Sequence, residues 1–292
     1  MVKLIKKIWI NSPQHNLKTI IKKILGKDQF YFSVKEILTS LAINKINTTQ
    51  LIDRHERYKR VTNNNIKLEF DIFNFQNKSI LEVGSGPLLG LGPLAHFCNC
   101  KQFLFYEPNF NPEIFESDSI RDKYFYPTYE ELCINYGKNI EFDEFYQRIR
   151  DKSVNLKILK TDKKIDLIYS NSALEHIPLN IINEVLKNIY ETTNDETYFF
   201  HSVDFSSHNV SSLASIYSSE KNEDLNNINK LRKSEITAKI QSSGFEALET
   251  VTYKYHNFER DRIHKSWRKY SDDDLRSMIV FFIGKSNNAS NR

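Results

Sequence analysis

Apolar positions along this chain change their spacing once, near residue 65, and the change divides it into two unlike parts. Before that point the intervals are helical. Leu4, Ile5, Ile8 and Trp9 share one face while Lys3, Lys6 and Lys7 take the other. "LKTIIKKILGK" repeats the design and ends at Gly26, a residue that stops helices, and "SVKEILTSLAI" is a third short amphipathic stretch. Beyond residue 65 short apolar runs predict strands: "KSILEVGSG", "KQFLFYEPN", "KIDLIYSNS", "ETYFFHSVDF", "EALETVTYKY" and "SMIVFFIGKS". Between them lie "LNIINEVLKNIYE", with Pro178 at the expected helix start, and "LRKSEITAKIQSSGF", closed by Gly244, both with helical periodicity. Strands alternating with helices predict an α/β fold, a doubly wound and mostly parallel sheet. The expected organisation is a helical arm over 1–65 and an α/β domain over 66–292. That domain carries an insertion at 112–152, rich in Tyr, Phe and acids, and a lid-like loop at 254–275.

Charge sharpens the division. Residues 1–60 hold 13 Lys plus Arg against 4 Asp plus Glu, although the whole chain of 292 residues has a formal charge of only +4. The basic balance therefore belongs to the arm. The remainder offers no broad phosphate-neutralising face, so nucleic acid is not an expected partner. The arm reads as a helical pack on the main domain, or alternatively as an interfacial helix over 1–27 resting on an anionic membrane. No apolar stretch approaches the roughly 20 residues that span a bilayer, and the Lys-interrupted N-terminus does not read as a secretory signal. Cys98, Cys100 and Cys133 are odd in number and lack a zinc-type spacing, which points to reduced thiols in a cytosolic setting.

The candidate chemistry begins at "ILEVGSGPLLGLG", where Gly84, Gly86, Gly90 and Gly92 account for half of the chain's eight glycines. A strand that enters a helix through such a turn can adopt positive φ and bring its backbone close to a ligand at the carboxyl edge of the sheet. The spacing is not the G-x-G-x-x-G of dinucleotide binders, and Pro87 removes an N–H that a pyrophosphate would want, so the turn favours a ligand without phosphates. Glu107 closes the next strand at about the 20-residue offset where an acid meets a ribose in Rossmann-like sites. A carboxylate there can accept from both ribose hydroxyls.

Taken together, "ILEVGSGPLLG", "FLFYEPN" and "IDLIYSNSALEHIP" resemble the motifs of class I S-adenosylmethionine-dependent methyltransferases, with "MIVFFIGKS" similar to that family's final antiparallel strand. The likeness covers about 79–285. It implies a Rossmann-like sheet with an antiparallel last strand and S-adenosyl-L-methionine as cofactor. By matching position, Glu82, Gly84, Ser85 and Gly86 line the methionine end. Glu107, followed by Pro108, holds the ribose. The stretch opening with Ser170, Asn171 and Ser172 lies under the methionine and its methyl. The family's adenine-binding acid has only a weak counterpart, Asp162.

For the acceptor, "SNSALEHI" lacks the Asn-Pro-Pro-Tyr type motif of nucleic-acid amino methyltransferases. It carries Glu175 and His176 just past the strand, and histidine is suited to take a proton near neutral pH. "HSVDFSSH" adds His201, Asp204 and His208, expected beside the same crevice. These could form an Asp–His base for a hydroxyl, a divalent metal site of Asp204 with one His, or a polar loop that merely closes the strand. "SNSALEHIP", "HSVDFSSH" and "YSDDDLRSMIVFFIGKS" also resemble bacterial methyltransferases of surface-polysaccharide and other glycan pathways. That likeness implies O-methylation of a sugar, nucleotide-sugar or glycan, and a cytoplasmic enzyme at the inner membrane. The rival readings are a methyltransferase of a small-molecule or lipid intermediate and a non-catalytic scaffold that binds S-adenosylmethionine.

Overall fold

The computed structural model describes residues 49–286, apart from 69–70, 109, 195, 207–215, 219, 222–228 and 256–259. Most of the basic arm, including 1–27, therefore lies outside the described residues. Its last part is a helix, α1 (Thr49–Asn65). Ile52, His55, Tyr58 and Thr62 are its buried face, at intervals of three to four residues.

Among the described residues, six of the seven strands stand where the apolar runs predicted them: β1 (Ser79–Val83), β2 (Gln102–Tyr106), β4 (Leu167–Asn171), β5 (Tyr198–Asp204), β6 (Phe245–Lys254) and β7 (Ser277–Ser286). The seventh, β3 (Ser153–Asn155), is three residues long and was not foreseen. Half-buried and exposed at the sheet's edge, it lacks the apolar run that marks the others. The order is β3-β2-β1-β4-β5-β7-β6, with β7 antiparallel to both neighbours and the pairs among β1 to β5 parallel. From β1 the chain first builds outward through β2 and β3, then returns to the other side of β1 with β4 and β5. Their connections therefore part between β1 and β4, and a crevice opens there at the carboxyl ends.

All five residues of β1 are buried, because helices cover both faces of the sheet. One face holds Ile80, Phe103, Phe105, Tyr169, Phe200 and Phe281 against Ile52 and Tyr58 of α1. The short α2 (Gly92–Phe97) lies on that side, as do α3 (Tyr126–Tyr136) and α4 (Phe142–Lys152). The insertion at 112–152 is thus a helical layer, whose aromatic residues pack on the sheet. The alternate positions, Leu81, Leu104, Ile168, Phe199 and Val280, meet α5 (Ile182–Glu191) and α6 (Lys233–Ser242). As expected, α6 stops at Gly244, where φ is +103°. After the Pro178 segment, α5 begins four residues further on.

The loop read as a lid is tightly packed in its described part. Trp267 is completely buried against Tyr217 and Tyr270, so it is not presented to a ligand. The short helix α7 (Asp272–Arg276) follows it. The buried Arg232 guanidinium donates to the carbonyls of Phe205, Asp274 and Ser277 at 3.2, 2.8 and 2.7 Å, tying the end of β5 to this region. Among the described residues no helix is long and apolar enough to cross a membrane.

Candidate active site

The glycine turn and the acid after β2 meet. Gly84 donates to the Tyr106 carbonyl at 2.9 Å, extending the β1–β2 pairing into the turn. Its φ is +78°, and a Cβ there would lie 2.6 Å from the Ala173 Cβ in the loop after β4. Gly86 also has positive φ, +69°, yet a Cβ at that position would meet nothing within 4 Å. The Gly86 N–H donates to Glu107 Oε2 at 3.0 Å. Glu107 is fixed from behind: its own N–H donates to Asn155 Oδ1 at 3.3 Å, which gives the unforeseen β3 a role in the site. A carboxylate is therefore held against the bend, beside space that glycine leaves clear.

Glu82 occupies the floor and is 2% exposed. Its Oε2 accepts from the Leu91 N–H at 2.9 Å. Burial pushes its pKa up to about 8, against the opposing pull of the Leu91 N–H and the Arg54 cation. Gly90 is explained by this carboxyl and not by ligand approach. With φ +45°, a Cβ at Gly90 would sit 2.5 Å from Glu82 Oε1.

The cleft above is walled by Leu51, Arg54 and His55 of α1, by Glu82, Gly84, Ser85, Gly90 and Leu91, and by Tyr169 and Asn171 of β4. The Tyr58 hydroxyl donates to Asn171 Oδ1 at 2.6 Å and accepts from the Ser202 hydroxyl at 3.2 Å, fastening α1 over the ends of β4 and β5. His55 Nδ1 is buried with no partner, and burial lowers that ring's pKa to about 4. These α1 residues did not register in the sequence as site residues, because their basic segment was assigned to the arm. The signal was the stripe of Leu51, Arg54, His55 and Tyr58, which combines helical spacing with polar side chains on a buried face.

The neighbouring residues divide by strand alternation. Asn171 faces the cleft, but the expected contribution of the Ser170 side chain needs correction. Ser170 points to the opposite face and pairs with His201 Nδ1 at 2.8 Å. Ser172 has φ +49° and hydrogen-bonds the Glu175 carboxylate. Ser85 is buried with its hydroxyl on the Gly86 carbonyl, and Pro108 is exposed. Asp162 is exposed in the loop after β3.

On the acceptor side, His176 is exposed at the end of a short helical turn, Leu174–His176. Glu175 beside it is buried. Its Oε1 accepts from the Asp204 N–H at 3.1 Å, its Oε2 has no partner, and burial raises its pKa to about 8. Asp204 is half-buried at the tip of β5 and accepts from the Ser206 N–H at 2.8 Å. His201 corrects the expectation of a crevice residue. It stands mid-strand with 0% exposure on the face shared with Ser170, and burial drives its pKa to about 3, so the ring is neutral. His208 lies outside the described residues. Among those residues no three His, Cys, Asp or Glu side chains group as a metal site.

A family model for a methyltransferase domain matches residues 53–250, well over half of the chain. The chain belongs to the methyltransferase domain family. The match begins inside α1, the helix that walls the cleft. Among solved structures, a TehB-like S-adenosylmethionine-dependent methyltransferase from Corynebacterium glutamicum is 9% identical, covering 82% of this chain and 100% of its own, with a TM-score of 0.40. An S-adenosylmethionine-dependent methyltransferase from Mesorhizobium loti is 10% identical over 73% and 92% of the two chains, at 0.39. A ribosomal protein L11 methylase from Lactobacillus delbrueckii subsp. bulgaricus is 14% identical over 82% and 79%, at 0.34. The search of curated proteins returns no match.

The methyltransferase cofactor, S-adenosylmethionine, combines a ribose diol, an amino-acid end and no phosphate. The residues present fit that group. Glu107 sits beside the gap at Gly86, and the cleft is lined by the buried carboxyl of Glu82 and by Arg54.

Proposed function

We propose that this methyltransferase transfers a methyl group to a hydroxyl of a sugar or glycan acceptor. The cofactor would lie across the carboxyl ends of β1 and β2. Its ribose would be held by Glu107, and its amino-acid end would lie between the glycine turn, Glu82 and Asn171. The 3.0 Å bond between the Gly86 N–H and Glu107 carries the cofactor half of this reading, because it unites the two motifs at the carboxyl ends of β1 and β2, beside the switch point of the sheet. When bound, S-adenosylmethionine supplies an activated methyl, so the protein's task is alignment of the acceptor and removal of its proton.

A sugar hydroxyl is a poor nucleophile unless a base takes its proton as the bond forms. His176 is the exposed imidazole at the end of β4. It adjoins Glu175, which binds the backbone of Asp204, and so lies where the β4 and β5 loops converge. Among the described residues it is the candidate base. The glycan-type motifs of the sequence support the acceptor class. A second reading, a lipid-linked intermediate, is favoured by Leu179 and Ile181, which stand 54% and 39% exposed just beyond His176.

The test is methyl release with nucleotide sugars, free glycans and lipid-linked sugars as acceptors. Turnover with the first two supports the proposal. Activity confined to the lipid-linked sugars supports the second reading, and activity with none of them overturns both.

A further inference from the structure

The wall of α1 brings a cation to the cleft, close enough for its charge to pull on the buried Glu82 carboxyl. Arg54 lines the cleft, yet it makes no hydrogen bond or ion pair among the described residues. Its neighbours on the helix are engaged. Glu56 is bound by the Tyr136 hydroxyl, Arg57 lies over the Tyr58 ring, and Tyr58 reaches Asn171. The Tyr58 bond sets the position of α1 one turn beyond Arg54 and so holds the guanidinium at the cleft. Glu82 lines the same cleft from the end of β1, within reach of that charge.

We propose that Arg54 binds the α-carboxylate of the cofactor's amino-acid end, making α1 part of the cofactor site. The inference rests on the cofactor reading above and adds to it a residue and a polarity. An α-amino acid presents an anion and a cation a few ångströms apart. The cleft offers a cation on one wall and a carboxyl on its floor, so the carboxylate turns toward α1 and the ammonium toward Glu82. A guanidinium matches a carboxylate in planarity and can donate to both of its oxygens, which a lone ammonium does less well. His55 is held neutral by burial and adds no competing charge to that wall.

The test compares two ligands by titration calorimetry. S-adenosylhomocysteine has the amino-acid end; methylthioadenosine has the nucleoside and thioether but lacks that end. Arg54→Met should weaken S-adenosylhomocysteine by about 10- to 100-fold, the loss expected for a hydrogen-bonded charge. It should leave methylthioadenosine within about twofold, and Arg54→Lys should fall between the two for S-adenosylhomocysteine. Thermal melting checks that both variants are folded; Arg54 is only partly buried, so they should be. Unchanged S-adenosylhomocysteine affinity in Arg54→Met, or an equal loss for both ligands, would overturn the assignment. If the wild-type protein binds neither ligand, the cofactor reading fails, a result distinct from either of those.

Discussion

The carboxyl ends of β1 and β2 and those of β4 and β5 border one crevice, but they are built differently. On the β1–β2 side the polar groups are fixed by backbone. Glu107 is held by the Gly86 N–H, and Glu82 by the Leu91 N–H. On the β4–β5 side, side chains reach across from other segments: the Tyr58 hydroxyl of α1 holds Asn171, and the Glu175 carboxylate accepts from the backbone of Asp204. The first side is the kind of rigid cradle that suits a constant cofactor. The second depends on loops, whose variation lets one fold serve many acceptors.

The contrast can be broken first at the glycines. Gly90→Ala should be more damaging than Gly86→Ala, because its Cβ would fall 2.5 Å from Glu82 Oε1 in a buried floor. A loss of about 2–4 kcal/mol is expected in urea unfolding, from strain and displacement of the carboxyl. Gly86→Ala meets no neighbour and should cost only about 1 kcal/mol of backbone strain, while weakening S-adenosylhomocysteine far more than that figure implies. If Gly86→Ala unfolds more readily than Gly90→Ala, the separation between floor and ligand space is wrong.

The histidines sharpen the other side. His201→Ala should lower stability by about 2 kcal/mol by leaving a cavity and an unpartnered Ser170 in the core. His176→Ala should change stability by less than about 0.5 kcal/mol, as expected at an exposed site. Only His176→Ala should slow turnover with cofactor affinity intact. A folded His201→Ala enzyme that binds the cofactor but cannot turn over would return His201 to the chemistry.

A further effect is expected with pH. Burial raises the pKa of Glu82 from 4.5 to about 8, so the folded state holds this proton more tightly than the unfolded chain. The contribution of Glu82 to stability is therefore fully present below about 4.5 and is lost as pH rises toward about 8. Glu175, also raised to about 8, acts in the same direction. Thermal melts from pH 5 to 8 should thus fall less steeply for Glu82→Gln than for wild type. The ligand's ammonium favours ionised Glu82, so S-adenosylhomocysteine affinity should rise over the same range in wild type and stay flatter in Glu82→Gln. Parallel profiles in the two proteins would contradict the assignment.

What could be read from the sequence follows the same division. The glycine turn, Glu82 and Glu107 were legible because a strand and its following turn fix them locally, and six strands announced themselves as apolar runs. His201 stands away from the crevice because period-two alternation along "HSVDFSSH" sends it to the face opposite Tyr169, and Ser170, its partner in register, follows the same alternation. Arg54 and Tyr58 were hidden because nothing local in "LIDRHERYKR" says which strand ends that helix covers. The three-residue β3 was invisible, since its position comes from pairing with β2 rather than from an apolar pattern.

The central claim is that Glu107, held at the Gly86 bend, forms the ribose half of an S-adenosylmethionine site. Titration of S-adenosylhomocysteine into wild type and Glu107→Ala tests it most directly. One saturable site in wild type, weakened by about 10- to 100-fold in a variant that melts within a few degrees of it, is the predicted result. Equal affinity in the two proteins, or no binding to wild type, would contradict it.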